Sequence, residues 1–396
     1  MMTDKETTQT SSTLNPMEDN LIHTLLVGSN RLQSLPMVVI ALLIAILSGV
    51  VYTFWSLSGS ASDGLAVALI YGVMSVLDWL GLWLLPRLGR SYGPDRPSAL
   101  ALAILRAVIV IIVGLLALPW WIAAAFSIAL SLLAFYATWI EPFNLGVTYE
   151  QLITDKWPIG TKIRLLHIGD IHIERITRRE LKLNQLIKEL QPDIIVFSGD
   201  FVNISYQEDR FTEAAIRNII SAWSAPLGVY CVPGTYTVET PERVKEFTLG
   251  LDNLRLLLDE WVTIEVGESA LDLLGMVTTH ILETDRAKVT LFSRFTDDEG
   301  VKLMLTHAPD VAPEAAAAGF DLYLCGHTHG GQIRLPLIGA IFSGGELGRR
   351  FVMGRYKLDN MTLYTSRGVG LEGLGAPRAR FLCPPEIILW EIKGQQ

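Results

Sequence analysis

Six side chains of this 396-residue chain have the types and spacing of a metal site. Two are carboxylates, four are imidazoles, and each closes a short β-rich run. Gly169-Asp170-Ile171-His172 follows residues 163–168, Ser198-Gly199-Asp200 follows 194–197, His307 follows 303–306, and Gly326-His327-Thr328-His329-Gly330-Gly331 follows 322–325. Side chains just beyond the carboxyl ends of strands are brought together at one edge of a sheet. A mixed oxygen and nitrogen set suits Mn, Fe or Zn, whereas Ca and Mg prefer all-oxygen shells. A single Asp-x-His or His-x-His pair is a common surface feature, and it is the joint occurrence of these runs that points to a metal centre. His167, within the first run, and His280, in Thr278-Thr279-His280, are read as structural.

The elements that must position these residues begin after Pro142, where the composition becomes that of an α/β domain. Runs over 163–168, 194–197, 229–232, 303–306 and 322–325 alternate with polar helical patterns. One helix opens at Thr177-Arg178-Arg179-Glu180 with capping-box spacing, another at Thr240 followed by Pro241, and a third covers 312–318. Residues 161–396 are assigned to one domain, long enough to bury its own core, with a linker over 142–160.

With these motifs in place, residues 160–392 resemble the calcineurin-like metallophosphoesterases, specifically the membrane-associated bacterial subgroup of predicted phosphohydrolases. The resemblance lies in Asp170-Ile171-His172, Gly199-Asp200-Phe201-Val202-Asn203, Thr306-His307-Ala308-Pro309-Asp310, Gly326-His327-Thr328-His329-Gly330-Gly331-Gln332-Ile333, Ser366-Arg367-Gly368 and Pro384-Pro385-Glu386-Ile387. It implies two mixed β-sheets flanked by helices, and two divalent ions bridged by an aspartate. Asp170, His172, Asp200 and His329 would hold the first ion, and Asp200, His307 and His327 the second. The implied activity is hydrolysis of a phosphodiester, pyrophosphate or phosphomonoester by a metal-activated water. Arg334 and Arg367 are candidate cations for the phosphoryl oxygens.

One motif departs from the family. After the third strand the family shows Gly-Asn-His-Asp/Glu, with Asn as a ligand of the second ion and His as proton donor to the leaving oxygen; this chain has Gly234-Thr235-Tyr236-Thr237. A threonine hydroxyl is a poorer ligand than a carboxamide, and a tyrosine with a pKa of about 10 is a weaker donor at neutral pH than an imidazolium. The departure weakens the second ion, removes the general acid, and favours substrates with good leaving groups. It also keeps open a second reading, a catalytically degenerate domain that binds metal and ligand as a sensor or scaffold. Asn203 stands where an acidic residue is common in the family.

The front of the chain has another character. The whole is 50% apolar and 18% charged, and the apolar excess falls in four runs at 37–57, 64–85, 99–118 and 120–140, each about the 20 residues a helix needs to cross a bilayer. Trp55, Trp83, Trp120, Trp121 and Trp139 near the run ends suit an interfacial belt. Only Pro119 separates the last two runs. Lys5, Arg31, Arg87, Arg90, Arg96, Lys156, Lys162 and Arg164 would share one side, while the opposite connections carry no Lys or Arg, which assigns the back domain to the cytoplasm. Asp78 and Arg106 fall at one depth within the second and third runs, either as an interhelical ion pair or with Arg106 reaching alone to the headgroups. Residues 1–36 form a polar tail whose stretch 20–35 is frayed or lies on the membrane surface.

Three widely spaced cysteines, Cys231, Cys325 and Cys383, suit a reducing compartment rather than a disulfide framework. The net charge of -9 provides no basic field for a polyanion, so nucleic acid is not expected as the main partner. The expected partners are the membrane and a phosphoester, with anchoring favouring a lipid-linked one.

Overall fold

The computed structural model describes residues 28, 30–295, 300–341, 344–345, 347–375 and 377–395. Four helices long and apolar enough to cross a membrane come first: α1 (Met37–Ser58), α2 (Ala61–Arg87), α3 (Asp95–Leu115) and α4 (Trp120–Phe135), the last continuing through a π turn at Tyr136–Ile140 and a short 3-10 turn at Glu141–Phe143. Ile40, Ile44, Val51, Tyr71, Ala103 and Val110 pack inside this group, whereas Leu42, Ile46, Leu69, Ile104 and Leu132 line its outer surface. An apolar exterior of this kind fits lipid rather than water.

α3 begins before its apolar run, because Asp95 is engaged by Trp79 Nε1 at 2.9 Å and Gln33 Nε2 at 2.8 Å instead of facing solvent. The third connection is longer than a single proline: α3 ends at Leu115, Ala117 turns the chain at φ 52°, and Pro119 caps α4. Of the two readings of Arg106, the structure shows the ion pair, with NH2 2.6 Å from Asp78 Oδ2. Arg106 also donates to Ser75 Oγ at 3.0 Å and Ser131 Oγ at 2.7 Å, so three helices share one buried guanidinium. Most of the stretch 20–35 lies outside the described residues; Arg31–Ser34 form one turn, with Gln33 Oε1 accepting the backbone N–H of Arg96.

Two six-stranded sheets follow. β1 (Gly146–Thr154), β2 (Lys162–Ile168), β3 (Ile194–Phe197), β4 (Val229–Cys231) and β5 (Arg255–Leu256) share the first sheet with the late strand Glu386–Gly394, which lies between β1 and β2. The second sheet contains β6 (Glu260–Val266), β7 (Ser269–Gly275), β8 (Val301–Leu305) and β9 (Leu322–Cys325). After a small hairpin of β10 (Arg334–Leu335) and β11 (Gly339–Ala340), it is completed by β12 (Gly354–Leu358) and β13 (Met361–Thr365); Glu386–Gly394 is therefore β14. Both sheets are mixed: β2, β3 and β4 run parallel, β14 is antiparallel to β2, and β12 and β6 are antiparallel edges of the second sheet. The residues read as a linker, 142–160, are not one. They hold β1, which pairs with β14 from Gly146↔Glu386 to Thr154↔Gly394.

The sheets face each other across Leu165, Ile194, Val196, Leu303, Leu322, Leu324 and Trp390, all fully buried. On the outer face of the first sheet lie α5 (Arg178–Leu190) and α6 (Arg210–Ile220), followed in sequence by α7 (Pro241–Thr248); α8 (Leu282–Phe292) and α9 (Ala312–Ala317) cover the second. α5 has the expected capping box, with the Glu180 carboxylate accepting Thr177 N–H at 2.7 Å, an arrangement worth about 1 kcal/mol. Leu183, Ile187 and Leu190 then line up on one face of α5 against the sheet.

Candidate metal centre

The loops that follow the parallel strands are tied to one another through their backbones. After β2 and β3, Asp170 N–H donates to Gly199 O at 3.0 Å, His172 N–H to Asp200 O at 3.0 Å and Ile173 N–H to Phe201 O at 2.8 Å. After β8 and β9, Gly326 N–H donates to His307 O at 2.9 Å, and His327 N–H reaches across to Asp170 Oδ1 at 2.8 Å. The loop after β13 closes from the other side, with Gly370 N–H on Asp170 O at 2.6 Å and the buried Arg380 clamping the carbonyls of Arg367, Gly368 and Gly370. Glycine is required where these loops meet: a Cβ at Gly326 would stand 2.2 Å from Asp170 Oδ2, and one at Gly234 would stand 2.0 Å from Asp200 Oδ1.

Two groups of side chains result. Asp170, His172, Asp200 and His329 each offer an atom within 4.8 Å of the others, and so do His280, His307 and His327. Asp200 Oδ2 links the groups, 3.4 Å from His172 Nε2 and 3.1 Å from His307 Nε2. All seven residues are buried, and six of them, all but His307, adopt positive φ. Such strained backbone persists only where the surroundings over-determine it, and it gathers at functional sites.

The hydrogen bonds orient the rings. His307 Nδ1 faces Ser198 O at 2.9 Å and His327 Nε2 faces Gly344 O at 3.2 Å, so in their neutral forms both spend their N–H on carbonyls. His307 Nε2 and His327 Nδ1 are then two lone pairs facing each other at 3.1 Å. In the other group His172 Nε2 and His329 Nε2 approach to 2.8 Å, while His172 Nδ1 is held by Glu372 Oε2 at 2.6 Å. Asp170 Oδ2 is buried without a hydrogen-bond partner. Lone pairs converging on one another and an orphaned carboxylate oxygen are repulsive unless a cation lies among them, so the residues present fit divalent ions.

Without a cation the centre draws protons. Burial would push His172 and His307 down, but Glu372 and Asp200 outweigh it at His172, and Asp200 at His307, leaving them at about 10 and about 9. Burial, together with Asp200, raises Asp170 to about 6. Burial and the nearby His307 hold His327 at about 4 and His280 well below the ordinary histidine value.

Residues 163–331 match the family model described as calcineurin-like phosphoesterase. This segment forms a calcineurin-like phosphoesterase domain. The chain is 28% identical over 267 residues to the uncharacterized metallophosphoesterase YkuE of Bacillus subtilis, covering 65% of this chain and 89% of that protein. It is 28% identical over 236 residues to the phosphodiesterase YaeI of Escherichia coli, covering 58% and 82%. It is 24% identical over 318 residues to the UDP-2,3-diacylglucosamine pyrophosphatase LpxG of Chlamydia muridarum, covering 64% and 92%. Calcineurin-like phosphoesterases bind divalent metals, and the clustered ligand residues lie at the matching strand ends.

The phosphoesterase domain thus brings together all six residues singled out from sequence. Thr235 joins them, its N–H on Asp200 Oδ1 at 2.7 Å and its hydroxyl 3.3 Å from His307 Nε2. Tyr236 does not: its side chain is exposed and makes no hydrogen bond among the described residues. Arg334 donates to Gly330 O at 2.9 Å beside the His-x-His turn, whereas Arg367 is paired with Glu386 at 2.5 Å and spends its charge there. Asn203 supports the loop after β3 by donating to Leu371 O at 2.8 Å. Three contributors to the centre escaped the sequence. Glu372 orients His172; Glu239 accepts the N–H groups of Asp200, Val202 and Gly234. His280, read as structural, stands beside His307 and His327. It follows β7, a strand not read from sequence, so its place beyond the carboxyl end of a strand was hidden.

Proposed function

We propose that the chain is a membrane-anchored, metal-dependent phosphoesterase that hydrolyses a phosphodiester or pyrophosphate of a lipid-linked substrate at the cytoplasmic face. The observation that carries the reading is the gathering of Asp170, His172, Asp200 and His329 beside His307 and His327, with Asp200 Oδ2 3.4 Å from His172 Nε2 and 3.1 Å from His307 Nε2, a set that would hold two divalent ions. Bound there, divalent ions supply an acidified water as nucleophile and offset charge on the phosphoryl oxygens. The protein's part is to fix the ligands: Glu372 and Val202 O hold His172, Ser198 O holds His307, and Gly344 O holds His327. Arg334, which donates to Gly330 O at 2.9 Å beside the His-x-His turn, has no carboxylate partner among the described residues and is the candidate cation for the phosphoryl oxygens. With Tyr236 exposed, nothing in the Gly234 loop is placed to protonate an alkoxide, which supports leaving groups of low pKa.

The lipid-linked part rests on the hairpin of β10 and β11. Leu335, Leu337, Ile338 and Ile341 are exposed on it, three residues beyond the Gly330-Gly331 turn. Its base is bonded to Phe381 (Arg334 N–H to Phe381 O, 2.9 Å), whose ring meets Tyr136 at the end of α4, and Arg380 N–H donates to Ala137 O at 2.9 Å. The apolar hairpin is therefore joined through Phe381 to the end of α4, which supports its docking on lipid. The cytoplasmic assignment follows the Lys and Arg distribution.

The test is hydrolysis of phosphomonoester, phosphodiester and lipid diphosphate substrates by the full chain in detergent, after chelation and reloading with Mn, Fe or Zn. Turnover restricted to the metal-loaded protein, with diphosphates and activated diesters ahead of alkyl monoesters, is expected. Two bound ions with no hydrolysis of any of them would instead establish the sensor or scaffold reading, which the exposed Tyr236 favours. A Glu208→Cys variant labelled from outside intact cells would overturn the cytoplasmic placement, since this residue is on the surface of the domain.

A further inference from the structure

The seven-residue cluster contains one histidine for which neither the family match nor the sequence motifs provide a role. We infer that His280 is a ligand of the second metal position, completing with Asp200, His307 and His327 a four-residue shell and standing in for the carboxamide absent at Thr235.

Four observations converge on this residue. A ring nitrogen of His280 lies within 4.8 Å of ligand atoms of both His307 and His327. Its ring centroid is 4.7 Å from that of His327 and 6.1 Å, edge-on, from that of His307. Its Nε2 is buried and has no hydrogen-bond partner. A histidine kept for structure buries its nitrogens against donors or acceptors, so an unpartnered one among other lone pairs points to a missing cation. Finally, His280 adopts φ 59°, the conformation shared by Asp170, His172, Asp200, His327 and His329.

The loop bearing His280 is held by hydrogen bonds of its own. The Asp285 carboxylate, buried at the start of α8, accepts Thr279 N–H at 3.0 Å and the Thr279 hydroxyl at 2.8 Å, and that hydroxyl accepts Ile281 N–H at 3.2 Å. Thr278 Oγ1 is 2.6 Å from Thr306 Oγ1 and accepts His307 N–H at 3.2 Å, which sets the β7 and β8 loops in register with each other. His280 and His307 are thus carried on two loops joined side by side. Three imidazoles and one carboxylate make a complete four-coordinate set for Zn and suit Fe or Co, whereas Mn prefers more oxygen. Thr235 then need only shape the pocket through its bond to Asp200.

This inference deepens the two-ion reading proposed above and rests on it. The experiment uses the full chain in detergent, stripped with chelator and titrated with Co2+, with elemental analysis and visible absorption as readouts. Wild type should take two equivalents. His280→Ala should keep the ion of the Asp170 group, which also reports that the domain is folded, and should bind the other more weakly by at least the 10–100-fold that loss of a merely supporting group costs. His280→Cys, loaded to two equivalents, should show thiolate-to-cobalt charge-transfer absorption, because a thiolate there would touch the ion; where His280→Ala keeps neither ion, this variant decides. An unchanged second affinity in His280→Ala, or no such band in His280→Cys, overturns the assignment while leaving the two-ion centre standing. A wild-type protein that takes one equivalent or none overturns both.

Discussion

Asp200 Oδ2 lies 3.1 Å from His307 Nε2. The same oxygen reaches His172 Nε2 at 3.4 Å, so this carboxylate stands between the two groups and is proposed to serve both. Asp200→Ala should therefore lower metal content more than loss of any other ligand, since it leaves two cations facing each other across a gap. Elemental analysis of the purified variant checks this, and two retained equivalents would remove the shared role.

The buried pair of Asp78 and Arg106 yields a prediction for the helical region. Replacing one partner strands a charge and should cost about 3–5 kcal/mol, whereas replacing both with apolar residues is nearly neutral by comparison. Asp78→Leu alone should lower the thermal midpoint in detergent more than Asp78→Leu combined with Arg106→Leu. Additive losses would show that the two charges do not stabilise each other.

If the hairpin tip docks on lipid as proposed, its loss should tell membrane substrates from soluble ones. Leu337→Asp and Ile338→Asp should reduce turnover of a lipid-linked diphosphate in vesicles about tenfold or more, the value of withdrawing one or two apolar side chains of about 1.5–3 kcal/mol each from lipid. Turnover of a small soluble diester should not change. Equal losses on both substrates would mean that the hairpin shapes the centre rather than docking on lipid.

His167 contributes an acid-sensitive part of the stability. Burial holds its folded pKa at about 3, against about 6.5 in the unfolded chain. Between those values the unfolded state binds more protons, so stability is complete above about pH 6.5 and falls as pH drops towards 3. In chelator, His167→Gln should lose less of its unfolding midpoint between pH 7 and pH 5 than wild type does. An identical loss would mean that other groups dominate this range.

What could be read from sequence was set by distance along the chain. The ligands after β2, β3, β8 and β9 are each adjacent to a short apolar run, and four long apolar runs mark α1 to α4, so these signals are local. β1 was missed because Gly146–Thr154 is only half-buried, with Tyr149 and Ile153 exposed, and its sole neighbour in the sheet is β14. β7 was missed because Asp272 interrupts its apolar pattern; its side chain accepts the Thr263 hydroxyl at 2.7 Å from β6, a pairing invisible until the strands are set side by side. Glu239, Glu372 and Arg380 lie in loops without periodicity; Glu239 and Arg380 hold backbone groups, and Glu372 the His172 ring, that only the finished fold brings near.

The place of β14 has a consequence for how such a chain is made. It is the partner of both β1 and β2, yet it comes after every ligand-bearing loop in the sequence. β1 and β2 emerge with a vacant slot between them, and no nearby segment fills it. Closure waits for a strand more than two hundred residues downstream, a non-local step that is slow and leaves open edges in the meantime. A ribosome that stalls within the domain would therefore leave a chain with two unsatisfied strand edges, a natural target for chaperones and proteases.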